Sequence, residues 1–110
     1  MKQYQLGEFE EIVLLTVGIL HGNAYGVTIK QEIETRLGRE VSVGALQTTL
    51  RRMESKGFLD SKKGETSSAR GGRPKLYFTI TPYGKKAIEF TREQRNDLWN
   101  ALPDLVLKLN

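Results

Sequence analysis

The sequence predicts a mainly α-helical fold with a small β-hairpin, in the order α-α-α-β-β-α. Two changes of pattern carry this prediction. Apolar residues recur every three or four positions up to Gly57, which is the period of a helix, and alternate with polar residues from there to Thr81, as in a strand. A second helical pattern then opens at Thr81-Pro82. The length of 110 residues suits one domain with one core.

The first helix is predicted over about residues 7–21, around the apolar run IVLLTVGIL at 12–20. Glu8, Glu10 and Glu11 would occupy its first turn, where the helix dipole favours anions. Because apolar residues cover most of its circumference, this helix should be central to the core. The run has nine residues, whereas a bilayer span needs about 20, so no membrane contact is expected.

The second and third helices are predicted over residues 25–37 and 42–56, and a glycine follows each as a stop signal. Ser42 is the expected N-cap of the third helix, because its hydroxyl can accept a bond from a free backbone N–H of the first turn. In each helix the apolar residues share one face, which should be buried. These residues are Ile29, Ile33 and Leu37 in the second helix and Leu46, Leu50 and Met53 in the third.

The opposite face of the third helix differs sharply from its apolar face. At 100° per residue it is small and polar near the N-terminal end and cationic further along. Its members are Gly44, Thr48, Arg51 and Ser55, with Gln47 and Arg52 on the flanks. Such a face can approach another surface closely at one end and meet negative charge at the other.

Residues 58–81 are predicted to form a hairpin, with FLDSKKGE and LYFTIT as its strands. β-Branched and aromatic residues alternate in the second strand, as is typical of a half-buried strand. The connecting segment TSSARGGRP is rich in Gly, Ser and Pro, which indicates a loop. Its tip carries Arg70 and Arg73 on either side of two glycines.

A fourth helix should run from Pro82 to about residue 101, with Thr81 as N-cap, and Pro103 should end it. Residues 82–110 would then be a dimerisation helix and a tail of one more short turn, within the same structural domain. Apolar positions spaced four and three apart often face a second helix. The residues expected at a dimer interface are Ile88, Thr91, Leu98 and Leu102 of this register, together with Trp99 on the same predicted helix.

This order of elements is that of a winged helix-turn-helix over residues 1–81, in which a hairpin wing follows the helix-turn-helix. Charge is concentrated in the same region: residues 51–75 carry a net charge of +5 and the remainder −1, against +4 for the whole chain. A regional excess of this kind favours an anionic partner. Double-stranded DNA is the expected partner, because its major groove admits one helix.

The expected DNA contacts follow from side-chain chemistry. Gln47 and Thr48 can bond base edges, while Arg51 and Arg52 can reach bases or phosphates. The wing would bring further cations to the minor groove or the backbone, because a narrow minor groove attracts arginine. These wing residues are Lys62, Lys63, Arg70, Arg73 and Lys75.

Three stretches resemble the PadR family of bacterial transcriptional regulators: YGVTIKQEIETRLG at 25–38, VSVGALQTTLRRMESKGFL at 41–59 and GGRPKLYFTITPYGKKAI at 71–88. The resemblance implies a homodimeric repressor whose third helix reads an inverted-repeat operator and whose C-terminal helix forms the dimer. It also implies that Tyr25 lies near the DNA backbone and Ser42 in the recognition segment. Many members release DNA when a small, often aromatic, molecule binds, so a planar aromatic effector is a further expected partner.

The resemblance has one departure and leaves alternatives open. Gln47 and Thr48 stand where family members often carry an aromatic residue followed by proline, so the operators of better-known members do not carry over. Trp99 could stack on a planar ligand in a pore or simply pack the dimer interface. The runner-up function is a winged-helix module that binds proteins without sequence-specific DNA binding.

An enzyme is not expected, because the residue types for catalysis are missing. The sequence has no cysteine and one histidine, His21, which excludes thiol nucleophiles, disulfides and a histidine-rich metal site. No phosphate-binding glycine loop or G-x-S-x-G motif is present. We therefore expect a cytoplasmic protein without a metal or cofactor.

Overall fold

The computed structural model describes residues 4–66 and 74–110, and in these it has five helices and one hairpin. The order of the elements confirms the predicted fold class. They are α1 (Glu8–Ile19), α2 (Gly26–Leu37), α3 (Val43–Ser55), β1 (Leu59–Thr66), β2 (Pro74–Ile80), α4 (Pro82–Ala101) and α5 (Asp104–Leu107). The ends predicted for the three helices within residues 7–56 agree with the observed ends to within two residues, which is the usual uncertainty at helix ends.

The predicted caps are present. Ser42 Oγ accepts the Ala45 N–H at 3.2 Å and so begins α3, and Thr81 Oγ1 accepts the Gly84 N–H at 3.0 Å at the start of α4. Gly38 ends α2 in the left-handed region at φ 63°. These local signals fix where the helices start and stop, as the sequence indicated.

Helix α1 is the central element, because it contacts α2, α3, β2 and α4. Its Val13, Leu14 and Val17 are buried, and the apolar faces of the neighbouring elements close around them. The rest of the buried apolar core is Ala24, Ile29, Ile33, Val41, Leu46, Leu50, Met53, Phe58, Leu59, Phe78 and Ala87. The prediction that the first helix is central is thus confirmed, whereas Leu37, predicted to face the core, is half exposed.

The hairpin is antiparallel and is fixed to the helices on both sides. Leu59 pairs with Ile80 and Lys62 with Tyr77. The Phe78 N–H donates to the Ala24 carbonyl at 2.8 Å, which joins β2 to the segment just before α2. The wing therefore has a defined position next to the helix-turn-helix.

Helix α4 leaves the core after one half of its length. Ala87 and Thr91 are buried, but every residue from Arg92 to Asn110 is exposed. The radius of gyration is 16.5 Å, whereas a compact chain of this length has about 13 Å. No helix in the described ranges is long and apolar enough to span a membrane.

Gly84 packs so closely on the end of the hairpin that a methyl group should not fit. A Cβ there would lie 2.2 Å from the Phe58 carbonyl oxygen. We expect Gly84→Ala to lower the free energy of unfolding by about 1–3 kcal/mol, because the backbone must move. Gly44→Ala is the matched control: its Cβ would lie 3.8 Å from Ser42 Oγ, and alanine should stabilise the helix by about 0.5–1 kcal/mol. Urea denaturation measures both, and equal effects would contradict this account.

Candidate nucleic-acid interface

The outward face of α3 is exposed as its helical period requires. Leu46 and Leu50 are buried on one side, while Gly44, Gln47, Thr48 and Arg51 are exposed on the other. The first turn carries no acidic side chain, so its free N–H groups and the helix dipole add positive potential there. The predicted face therefore exists as a continuous polar surface.

The two arginines of α3 have different surroundings. Arg51 is exposed and makes no hydrogen bond or ion pair within residues 4–66 and 74–110. Arg52 instead donates from Nε to Glu10 Oε2 at 3.2 Å. Sequence reasoning treated the pair as equivalent DNA contacts, but in the folded chain only Arg51 is unengaged.

Glu10 of α1 is a buried carboxylate beside α3. It accepts the Gly7 N–H at 2.8 Å and pairs with Lys56 Nζ at 3.1 Å in addition to Arg52. Burial acts to raise the pKa of Glu10, but the Gly7 N–H and the Lys56 and Arg52 cations outweigh it and hold the pKa below its usual value. Its contribution to stability is therefore present above the unfolded-state pKa and is lost as the pH falls through the lower folded-state pKa.

The start of α2 lies against the wing. Lys75 Nζ sits 4.4 Å from the centre of the Tyr25 ring and 3.4 Å from its hydroxyl, and the Tyr77 ring meets Tyr25 edge-on at 5.3 Å. A Cβ on Gly26 would be 3.0 Å from Gln47 Nε2, so α3 also approaches this point closely. The structure thus brings together Tyr25, Gln47 and Lys75, which the sequence placed far apart.

A cleft of about 510 Å³ lies between the starts of α2 and α3 and strand β2. Buried Leu46 and Phe78 are in its lining. Val27, Val43 and Leu76, each more than two fifths exposed, line the same cleft. Sequence reasoning missed this apolar patch, because its three members come from three separate elements.

Lys62 and Lys63 lie on opposite faces of the hairpin. Lys62 pairs with Tyr77 and Lys63 with Leu76, and successive residues of a strand alternate between faces. Lys63 shares its face with Ser61, which donates to Glu54 of α3. Lys63 is therefore on the α3 side of the wing and Lys62 on the Tyr25 side.

The turn between α2 and α3 is held by charge. Glu34 Oε2 accepts the Val41 N–H at 2.9 Å and pairs with Lys30 at 2.7 Å. The hydrogen bond from Lys30, and then that from Val41, keep the pKa of Glu34 below its usual value. Arg39 reaches back to Glu8 at 3.1 Å and so ties this turn to α1.

The residues predicted for a dimer interface or pore divide into two groups. Ile88 packs on the core, and Thr91 is buried and donates to the Ala87 carbonyl at 3.0 Å, so both belong to the fold of the single chain. Leu98, Trp99 and Leu102 are exposed. The wing-tip arginines, Arg70 and Arg73, lie outside the described residues.

A second groove, of about 320 Å³, runs between α1 and α4. Leu15, Ile88 and Trp99 give it an apolar lining. Glu11 and Arg95 also line it, and their side chains pair at 2.7 Å across the two helices. The hydrogen bond with Glu11 raises the pKa of Arg95.

Comparison with known proteins identifies the family. The profile of the transcriptional regulator PadR-like family matches residues 14–90. The chain belongs to this family. It is therefore a transcriptional regulator and not an enzyme. No curated protein sequence matches this chain.

Solved structures of PadR-like regulators share the fold. A PadR family regulator from Eggerthella lenta is 24% identical, with a TM-score of 0.69 over 94% of this chain and 88% of that one. One from Clostridium difficile is 28% identical, with a TM-score of 0.64 over 86% and 97%. Bacillus subtilis PadR, solved in complex with operator DNA, is 17% identical, with a TM-score of 0.63 over 77% and 46%.

Proposed function

We propose that this PadR-like regulator is a homodimeric repressor that binds an inverted-repeat operator through α3 and the wing. The observation that carries the proposal is the outward face of α3, which is exposed, short near its N-terminal end and cationic at Arg51. Family membership and the operator complex of Bacillus subtilis PadR support it.

The chemistry of this surface suits the major groove. Gly44 and Ala45 leave room for close approach, and Gln47 and Thr48 offer hydrogen-bonding groups that base edges can use. Lys75 on the Tyr25 ring presents an ammonium beside the helix, where a phosphate of the same duplex would lie. Base reading and backbone contact would then come from adjacent elements.

The exposed segment that comprises the end of α4, α5 and the residues around them supports a homodimer. Apolar side chains are unusually abundant there, and a large exposed apolar patch marks an interaction site. They are Leu98, Trp99, Leu102, Leu105, Val106, Leu107 and Leu109. Two copies related by a two-fold axis would place their recognition helices about one DNA turn apart, so the operator should be an inverted repeat. A bound dimer would obstruct transcription at that site.

The runner-up, a protein-binding winged helix, is less well supported. A protein-binding helix would expose apolar side chains along the face that carries Gly44, Thr48 and Arg51. These positions are instead small, polar and cationic. We therefore retain DNA as the proposed partner.

Substitution of Arg51 tests the DNA interface. Arg51→Ala should weaken binding to a duplex selected from a random pool by about 1–3 kcal/mol, because it removes an unengaged cation from the reading face. Lys86→Ala, on the exposed side of α4, removes the same charge outside the interface and should leave the affinity nearly unchanged. Fluorescence anisotropy measures both. If the native protein prefers no duplex over random competitor, sequence-specific DNA binding is ruled out.

Substitution of Leu98 tests the dimer. Leu98→Glu should raise the dimer dissociation constant at least about tenfold, because a buried leucine contributes about 1.5–3 kcal/mol and a charge at that place would be desolvated. Leu37→Glu, at an exposed leucine at the end of α2, is the control and should leave the dimer intact. Sedimentation equilibrium distinguishes them. A native chain that is monomeric at micromolar concentration would contradict the proposal.

We further propose that a planar aromatic molecule binds the groove at Trp99 and releases DNA. Trp99 is the only tryptophan and is 64% exposed beside Leu15 and Ile88, so a stacked ligand should quench its fluorescence with a saturable curve. The same compound should lower the anisotropy of bound DNA at matching concentrations. Quenching that rises linearly, as for free tryptophan, would argue against the site.

A further inference from the structure

We propose that Glu10 competes with DNA phosphate for two cationic side chains of the same chain. It holds Arg52 of α3 and Lys56, the C-cap of that helix, on the protein and so limits the sequence-independent part of DNA binding. This inference rests on the DNA binding proposed above. It makes Glu10 a positioning residue that raises specificity without touching DNA, and it assigns Arg52 to the fold of the regulator rather than to the operator.

The carboxylate of Glu10 is buried and has three hydrogen-bonding partners. Its side chain is only 9% exposed, and one oxygen, Oε2, meets Arg52 Nε at 3.2 Å and Lys56 Nζ at 3.1 Å. The other oxygen, Oε1, accepts the Gly7 N–H at 2.8 Å. Within the described part of the chain no buried side-chain nitrogen or oxygen lacks a partner, so this carboxylate is fully satisfied.

Arg52 and Lys56 would otherwise be available to DNA. Arg52 in the last turn of α3 and Lys56 at its C-cap lie four residues apart and both face Glu10 of α1, next to the outward face that carries Arg51. Their side chains are 49% and 44% exposed, so solvent and phosphate can reach both. Two free cations beside a reading helix would bind the backbone of any duplex, because phosphate attraction carries no sequence information.

Desolvation explains why Glu10 keeps these cations. Removing both partners would leave an ionised carboxylate nine tenths buried with one N–H as its only donor, which is costly. A phosphate in solvent gains much less from an exposed cation, since water and salt screen that pair. DNA should therefore bind at Arg51 and leave the Glu10 pairs intact.

The consequence is a larger ratio of specific to non-specific affinity. Each extra phosphate contact strengthens binding to every duplex and steepens its salt dependence by about 0.9 in log–log slope. Because a genome offers a large excess of non-specific sites, cations that bind any sequence divert the regulator from its operator. Glu10 would suppress two such contacts in each subunit.

The experiment compares salt dependence among five proteins: the native chain, Glu10→Gln, Glu11→Gln, Arg52→Gln and the double variant that combines Glu10→Gln with Arg52→Gln. Anisotropy titrations on a random duplex and on the selected duplex, from 50 to 200 mM salt as rough limits, give the slopes. Glu11→Gln is the matched control, because it removes the same charge from the next residue of α1, whose partner, Arg95, lies on α4. Thermal unfolding confirms that each variant is folded.

We expect Glu10→Gln to bind the random duplex roughly five- to tenfold more tightly for each released cation, with a slope steeper by about 0.9–1.8 per subunit. The ratio of specific to random affinity should fall. Glu11→Gln should change far less, and adding Arg52→Gln to Glu10→Gln should remove about half of the gained slope. A Glu10→Gln slope equal to that of Glu11→Gln would overturn the inference.

Arg52→Gln alone keeps the proposal testable even if Glu10→Gln does not fold, because Arg52 is half exposed. The salt-dependence slope of Arg52→Gln should equal that of the native chain, because in the native chain Arg52 stays paired with Glu10 and does not contact phosphate. A slope shallower by about 0.9 would place Arg52 on phosphate and refute the inference. In either outcome the native chain still binds its duplex, so this result is separate from the failure of DNA binding itself.

Discussion

Burial of the apolar surface of α1 is the constraint on which the rest of the structure depends. Val13, Leu14 and Val17 are almost completely buried. Helices α2, α3 and α4 and strand β2 all pack against α1. At about 25 cal/mol per Å² of apolar area removed from water, such a shared core is the main source of stability in a domain this small. The helix-turn-helix, the wing and α4 therefore all pack on one helix.

Ion pairs from the first turn of α1 connect it to three neighbouring parts of the chain. Glu8, Glu10 and Glu11 follow almost directly on one another, yet they pair with the helix-turn-helix turn, with α3 and with α4 respectively. Successive helical residues point about 100° apart, so one turn can reach three neighbours. The same turn thus connects the proposed DNA-reading helix to the proposed dimer helix.

The sequence also predicted much of the candidate site, because the site lies largely on one helix. The exposure of Gly44, Gln47, Thr48 and Arg51 on α3 follows from helical period alone. Helical period did not distinguish Arg51 from Arg52, because it carries no information on which side chains of other elements lie beside each of them. The residues expected at a dimer interface on α4 also differ in exposure: Leu98 faces solvent, whereas Thr91 is buried in the core of the single chain.

By itself the sequence determined the elements and their order, and placed their ends to within about two residues, since hydrophobic period and capping residues act over a few positions. Ser42 and Thr81 cap their helices as local chemistry requires. Only the tertiary structure decided which charges are engaged, that Lys62 and Lys63 face opposite sides, and that Tyr25 meets Lys75 fifty residues away. The physical reason is that ion pairing and strand register depend on distances between elements, which no local pattern contains.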